Sequence, residues 1–267
     1  MTTYDTASAR GPLAPTPWIS ARYARGVPRL RLFCLPHAGG GVGVFTPWRA
    51  HLPAGVELAP VELPGRGSRI DEPMPATMDA LVDALLDGLR GELDLPYAFF
   101  GHSFGALLGY ELTLRIEREA AAGGAVRTPS ALLVSGSRAP HVPLGRESVA
   151  SGDDAGLIDW LSGSGGLPPE LLEFPDFLRD LLRAVRGDMA FAEAYLAAAP
   201  EPVGCPLAAF AGAEDTVSTV AQVRPWDRYT TAAHALRVLP GGHYFPQSHA
   251  RETVEAVCAE LAAMAAV

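Results

Sequence analysis

Tyr97-Ala-Phe-Phe-Gly-His-Ser-Phe-Gly-Ala106 joins an aromatic, strand-like run to Ala106-Leu-Leu-Gly-Tyr-Glu-Leu-Thr-Leu-Arg-Ile116, which reads as a helix. Its centre, Gly101-His-Ser-Phe-Gly105, is a G-x-S-x-G pattern set between a strand and a helix, the context in which the pattern carries chemistry. A single tight turn there holds the serine at a strained backbone position, and glycines without Cβ atoms let strand and helix approach closely. Ser103 would then project its hydroxyl into the open as a nucleophile. The competing reading is a glycine-rich turn whose serine merely caps the helix, since serine is a favoured N-cap residue. The strand before and the helix after favour the nucleophile.

Outward from this turn, Leu30-Arg-Leu-Phe-Cys-Leu35, Val56-Glu-Leu-Ala-Pro-Val61 and Ala131-Leu-Leu-Val-Ser135 read as strands. Met78, Leu81, Val82, Leu85, Leu86 and Leu89 repeat at helical spacing and form one apolar face, and Gly123-Gly124 is a stop for the helix after Ser103. Alternating strands and helices predict an α/β class fold, a mostly parallel sheet flanked by helices on both faces. The alternation breaks from Pro140 to Cys205, where helical segments with a Gly/Pro-rich interruption at 163–169 stand without a strand. An insertion of this length reads as a helical lid at about residues 140–205. The pattern returns with strands at Pro206–Ala211 and His234–Leu239 and a closing helix that buries Val254, Val257, Cys258 and Leu261. The expected organisation is an N-terminal tail over 1–28, partly disordered and docked through Trp18 and Ile19, a core from 29–139 and 206–267, and the lid.

Composition narrows the function. A chain of 267 residues with 48% hydrophobic and 19% charged residues can bury one large core. A net charge of −9 argues against non-specific affinity for nucleic acid or an anionic membrane. All 21 basic residues are arginine, which excludes Walker-A phosphate binding and lysine Schiff-base chemistry. Cys34, Cys205 and Cys258 lie far apart without C-x-x-C spacing, so neither a disulfide framework nor a zinc site is implied and no metal is expected. The first residues lack the apolar core of a signal peptide, and a cytoplasmic setting is expected.

A serine hydroxyl needs a base to take its proton, and the base needs an orienting carboxylate. In the α/β-hydrolase fold these follow in the order Ser, Asp or Glu, His. Of seven histidines, only His243 follows a final strand, with Gly241-Gly242 giving it room to swing over the serine. Asp215 follows the next-to-last strand, with Glu214 as the less suitable competitor; the strand ending at Ser135 is followed by Gly136-Ser-Arg138 and supplies no carboxylate. The oxyanion-hole N–H groups would come from Phe104, directly after the serine, and from Ala38, or His37, in the glycine-rich loop Pro36-His-Ala-Gly-Gly-Gly-Val-Gly43. A dinucleotide reading of that loop fails, because Val44 stands where a third glycine is required.

The lid offers Phe174, Phe177, Leu178, Leu181, Leu182, Val185 and Met189 as one apolar face, suited to packing on the body or to lining an acyl tunnel. Arg179, Arg183 and Arg186 form the opposite face, either solvated or receiving an acidic partner. Arg66 and Arg69 could bind a phosphate or hold a local carboxylate.

Leu32-Phe-Cys-Leu-Pro-His-Ala-Gly-Gly40, Leu63-Pro-Gly-Arg66, Gly101-His-Ser-Phe-Gly105, Ser137-Arg-Ala-Pro-His141 and Gly241-Gly-His-Tyr-Phe245 closely resemble the type II thioesterases, the stand-alone editing hydrolases of polyketide synthases and nonribosomal peptide synthetases. The resemblance runs from about Trp18 to the final helix. It implies removal of aberrant or stalled acyl groups from the phosphopantetheine arm of acyl or peptidyl carrier proteins, with Ser103, Asp215 and His243 as the triad and Ala38 and Phe104 as the oxyanion hole. It also implies no resident cofactor and a transient partnership, and a monomer is expected. His37, Arg138, Arg179, Arg183, Phe177 and Leu181 are the candidate substrate or carrier contacts. Glu62 departs from the uncharged residue many relatives carry before Leu-Pro-Gly-Arg, and the lid is where relatives differ most, so acyl preference does not carry over.

Overall fold

The computed structural model describes residues 16–197 and 199–265. In chain order the elements are β1 (Tyr23–Ala24), β2 (Leu30–Leu35), β3 (Val56–Pro60), α1 (Met78–Leu89), β4 (Tyr97–His102), α2 (Phe104–Ala121), β5 (Ala131–Ser135), α3 (Asp154–Ser164), α4 (Pro175–Ala194), β6 (Leu207–Gly212), α5 (Val220–Val223), β7 (His234–Leu239), α6 (Phe245–Ser248) and α7 (Ala250–Ala265). The seven strands form one sheet in the order β1-β3-β2-β4-β5-β6-β7, with only β1 antiparallel to its neighbour.

Strand alternation divides the core. Phe33, Leu35, Tyr97 and Phe99 point to the face covered by α1, α2 and α4, while Leu32, Cys34, Ala98 and Phe100 point to the face covered by α7 and a 3-10 segment, Val42–Ala50. Every residue of β4, β5 and β6 is buried, as expected of central parallel strands covered on both sides. The apolar stripe read for α1 faces inward through Leu81, Val82, Leu85, Leu86 and Leu89, and the Thr77 side chain caps its N-terminus. Helix α2 ends at Ala121, and Gly123 follows at φ 87°, a left-handed conformation that glycine adopts readily.

Two parts escaped the sequence reading. The strand β1 is only two residues long, and the 3-10 segment has Pro47 inside it, so neither carries a periodic signal. Trp48 anchors that segment by donating its indole N–H to the Pro246 carbonyl at 2.7 Å. Trp18 and Ile19 are buried, and the Arg69 guanidinium lies 3.8 Å above the Trp18 ring. Residues 1–15 of the expected tail lie outside the described residues.

The strand order reverses at β2. The chain passes from β2 to β3 on one side and then crosses to β4 on the other. In open α/β sheets the crevice at such a switch point, beyond the carboxyl ends of the strands, is where ligands bind. The loop after Leu35 and the turn at Ser103 both emerge there.

The crossing is tight. A Cβ on Gly105 would lie 2.6 Å from the Pro36 carbonyl oxygen and overlap the Leu35 carbonyl, and neither backbone group can yield. A Cβ on Gly109, one turn on, would meet side chains rather than backbone, the tightest contact being the Leu35 Cδ1 methyl at 3.1 Å. Gly105→Ala is therefore expected to destabilise the protein by about 3 kcal/mol. Gly109→Ala, where improved helix propensity offsets mild crowding, should change stability by less than about 1 kcal/mol. Denaturation midpoints of the two variants check this contrast.

Candidate active site

Ser103 is the one non-glycine residue with positive φ among the described residues, at φ 55° and ψ −115°. Such a conformation persists only where the surroundings over-determine it. Here they do: the Ser103 N–H is tied to the Ser135 carbonyl of β5 at 2.8 Å, and a Cβ on Gly101 would run into the Gly105 backbone. The serine occupies the N-cap position of α2, yet its side chain makes no capping hydrogen bond and remains partly exposed. This removes the reading of Ser103 as a helix cap.

At the next strand end but one, Asp215 is held rigidly. Its Oδ1 accepts the Val217 and Ser218 N–H groups at 2.8 and 2.9 Å, and its Oδ2 lies 2.9 Å from His243 Nδ1. A carboxylate only accepts, so Nδ1 carries the proton and Nε2 is the basic nitrogen of the ring. Both side chains are almost completely buried. Glu214, the competing acid, turns the other way: its carboxylate accepts the Gly241 N–H, and its own N–H donates to the Gly241 carbonyl at 3.1 Å. It braces the loop that delivers His243.

Aromatic and imidazole rings pack around that loop. The His243 ring lies 5.0 Å from His102 and 5.2 Å from Tyr244, and His37 stands edge-on to Tyr244 at 4.9 Å. Gly136, at φ 53°, makes room: a Cβ there would lie 2.5 Å from His102 Cε1. His102 directs Nδ1 at the Ser135 carbonyl and hydroxyl, both at 3.1 Å, and its Nε2 is buried.

Phe104 opens α2, so its N–H has no carbonyl one turn earlier to bond within the helix. Ala38 lies in the turn after β2, and among the described residues no group accepts its N–H. The glycine after it, Gly39, donates instead to Asp188 at 2.8 Å. Two N–H groups without an acceptor among the described residues thus belong to the two segments that meet at the switch point, and the positive end of the α2 dipole adds to them.

The remaining sequence-expected contacts separate. Leu181 sits over the loop, with Cδ1 3.2 Å from where a Gly39 Cβ would be, whereas Phe177 is half exposed. Arg138 is buried and donates to the Val142, Ala192 and Tyr195 carbonyls, bonds that tie its guanidinium to the protein itself and weigh against the expected carrier contact. Arg179 and Arg183 are exposed, but Asp176 and Asp180, each three residues earlier, offset their charge. Arg186 binds Asp154 and two carbonyls. Arg69 holds a local carboxylate, Glu72, whereas Arg66 holds a distant one, Asp188. Glu62, the unusual charge, accepts the Ser68 N–H and hydroxyl, both at 2.9 Å, and so closes the Arg66–Arg69 turn. Sequence reasoning missed Asp188, which has no motif of its own.

Burial, with His243 and Arg66 adding repulsion, lowers the His37 pKa from 6.5 to about 3, and burial holds His102 well below its ordinary value. A histidine kept neutral in the fold binds fewer protons than in the unfolded chain. Its contribution is intact above pH 6.5 and is lost as pH falls toward the folded value. The denaturation midpoint should therefore drop steadily on acidification below pH 6.5, with a shallower slope in His37→Gln or His102→Gln. An unchanged slope in both variants would contradict this origin.

Comparison with known proteins fits this geometry. Residues 30–263 match the family model described as thioesterase domain. The chain is 32% identical over 239 residues to linear gramicidin dehydrogenase LgrE of Brevibacillus parabrevis, covering 88% of this chain and 89% of that protein. Among solved structures, the RedJ thioesterase of the prodiginine pathway in Streptomyces coelicolor superposes with a TM-score of 0.79 at 33% identity, covering 94% of this chain and 97% of RedJ. The type II thioesterase BorB of the borrelidin cluster gives 0.80 at 30% identity, covering 94% of this chain and all of BorB (100%). With its parallel α/β-hydrolase sheet and a family match spanning nearly its whole length, the chain belongs to the thioesterase family and is a hydrolase acting on thioesters.

Proposed function

We propose that this thioesterase removes aberrant or stalled acyl groups from the phosphopantetheine arm of acyl or peptidyl carrier proteins, using Ser103 as nucleophile, His243 as base and Asp215 as its orienting partner. The observation that carries the reading is a serine held at positive φ with an unbonded hydroxyl at the switch point, on the same sheet edge as a buried Asp215–His243 pair.

In the first step His243 Nε2 takes the Ser103 proton as Oγ attacks the thioester carbonyl. The tetrahedral oxyanion is met by the Ala38 and Phe104 N–H groups, each worth about 3 kcal/mol in the transition state. The C–S bond then breaks and His243 returns the proton to the carrier thiolate, leaving an acyl-serine. Water enters, His243 takes its proton, and collapse of the second intermediate frees the acid and restores the Ser103 hydroxyl. Asp215 stabilises the imidazolium in both steps and remains ionised.

The arm is the partner's and belongs to the substrate; the reaction needs no resident cofactor. Carrier binding would be transient. Its docking rests on local shape, because the net charge of −9 gives little long-range attraction for an acidic carrier and the Arg179 and Arg183 charges are offset in place. Among the described residues no helix is long and apolar enough to cross a membrane. The cysteines are free, in keeping with the cytoplasmic setting proposed here.

Ser103→Ala is expected to melt like the wild type and to lose thioester hydrolysis by at least about a thousandfold. An organophosphonate should label the wild type at a single site and leave Ser103→Ala unlabelled. Near-wild-type turnover or labelling elsewhere would overturn the assignment.

A further inference from the structure

Asp188 lies on α4 with its side chain wholly buried, remote in sequence from Ser103, Asp215 and His243. Three donors reach it. Oδ2 accepts the Gly39 N–H at 2.8 Å and Arg66 Nη1 at 2.6 Å, and Oδ1 accepts Arg66 Nη2 at 2.9 Å. Arg66 in turn reaches the Gly40 and Pro64 carbonyls, both at 3.3 Å. The ion pair therefore grips the loop after β2 at consecutive residues, once through an N–H and once through a C=O.

Packing repeats the grip. Gly39 has φ +74°, and a Cβ on it would overlap Val185 Cγ2 and come within 3.2 Å of Leu181 Cδ1, both on α4. Helix and loop touch so closely that no methyl group fits between Gly39 and α4. A buried ion pair is an expensive way to fill such a space, since an apolar pair of similar volume often stabilises at least as well. What an apolar pair cannot do is orient a peptide group. The bond to the Gly39 N–H fixes the plane of the peptide joining Ala38 to Gly39 and so restrains the Ala38 backbone from its C-terminal side, next to an N–H for which no acceptor is found among the described residues.

We propose that Asp188 is a positioning residue: through the Gly39 N–H it sets the direction of the Ala38 N–H, so the oxyanion hole is complete only while α4 is seated on the loop. This rests on the catalytic reading above and extends it. The helical segment between β5 and β6 then does more than cover the crevice. Substrate that lifts α4 disarms the catalyst, and substrate that lets it seat completes it.

Two double variants isolate the acceptor without leaving a lone buried charge. Arg66→Met/Asp188→Leu removes both charges and the acceptor for Gly39; Arg66→Met/Asp188→Asn removes both charges and keeps an acceptor oxygen. Each is assayed on an acyl thioester of a small thiol, so that carrier docking does not enter, with thermal melting alongside and Ser103→Ala as the reference. The Leu variant is expected to melt cooperatively yet lose kcat by about 10- to 100-fold with KM nearly unchanged, the signature of mispositioned groups. The Asn variant should recover most of that loss. A cooperatively melting Leu variant with wild-type kcat, a loss confined to KM, or an Asn variant as slow as the Leu variant overturns the proposal while Ser103→Ala stays inactive. Should the Leu variant fail to fold, the Asn variant decides: loss of kcat despite cooperative melting and a retained acceptor also overturns it. Activity in Ser103→Ala would remove the catalytic reading, and this inference with it.

Discussion

Helix α2 meets β2 so closely that no side chain fits between the Gly105 α-carbon and the Leu35 and Pro36 carbonyls, and the site follows from that contact. The close approach forces the chain to turn within one residue at the end of β4, which puts Ser103 at positive φ. The strained turn leaves the serine hydroxyl without a capping role, and it brings the unbonded N–H of Phe104 beside the loop after β2. The proposed nucleophile and the proposed anion-binding groups thus trace to one piece of backbone geometry. The sheet order then adds β6 and β7, whose ends deliver Asp215 and His243 to the same edge.

Much of this was legible because it is local. A strand, a G-x-S-x-G turn and a helix are adjacent in the chain, and the positions of Asp215 and His243 after successive strands follow from chain order. The apolar stripe of α1 and the buried runs of β4, β5 and β6 carry the periodicities that burial imposes. What the sequence could not disclose was pairing across long separations. Arg66 and Asp188 lie 122 positions apart, and nothing near either residue announces the other. Glu214 was weighed as an acid, and only its bond to the Gly241 N–H shows that it braces the histidine loop. Arg138 looked like a free charge because a sequence does not show three carbonyls closing on one guanidinium.

The helical segment between β5 and β6 shows how charge in a sequence overstates charge in a field. Arg179 and Arg183 form a basic stripe when read alone, yet each stands three residues after an aspartate that pairs with it. Exposed pairs of this kind contribute little to stability, but they remove the net charge an acidic partner would sense at a distance. The half-exposed Phe174 and Phe177, with Leu172 and Leu196, are exposed apolar side chains of the same segment. LgrE, among the relatives, bears the name of a dehydrogenase. In this chain the glycine loop that a nucleotide would need lacks its third glycine, and it lies instead against α4 with its Gly39 amide held by Asp188.

The claim that carrier-bound thioesters are the substrate is tested most directly by presenting one acyl group in three forms: on the arm of a carrier protein, on a small thiol and as a simple oxygen ester. The account predicts the highest kcat/KM for the carrier-bound thioester and the lowest for the oxygen ester. Faster turnover of the oxygen ester than of either thioester would contradict it and leave an esterase that uses the same triad.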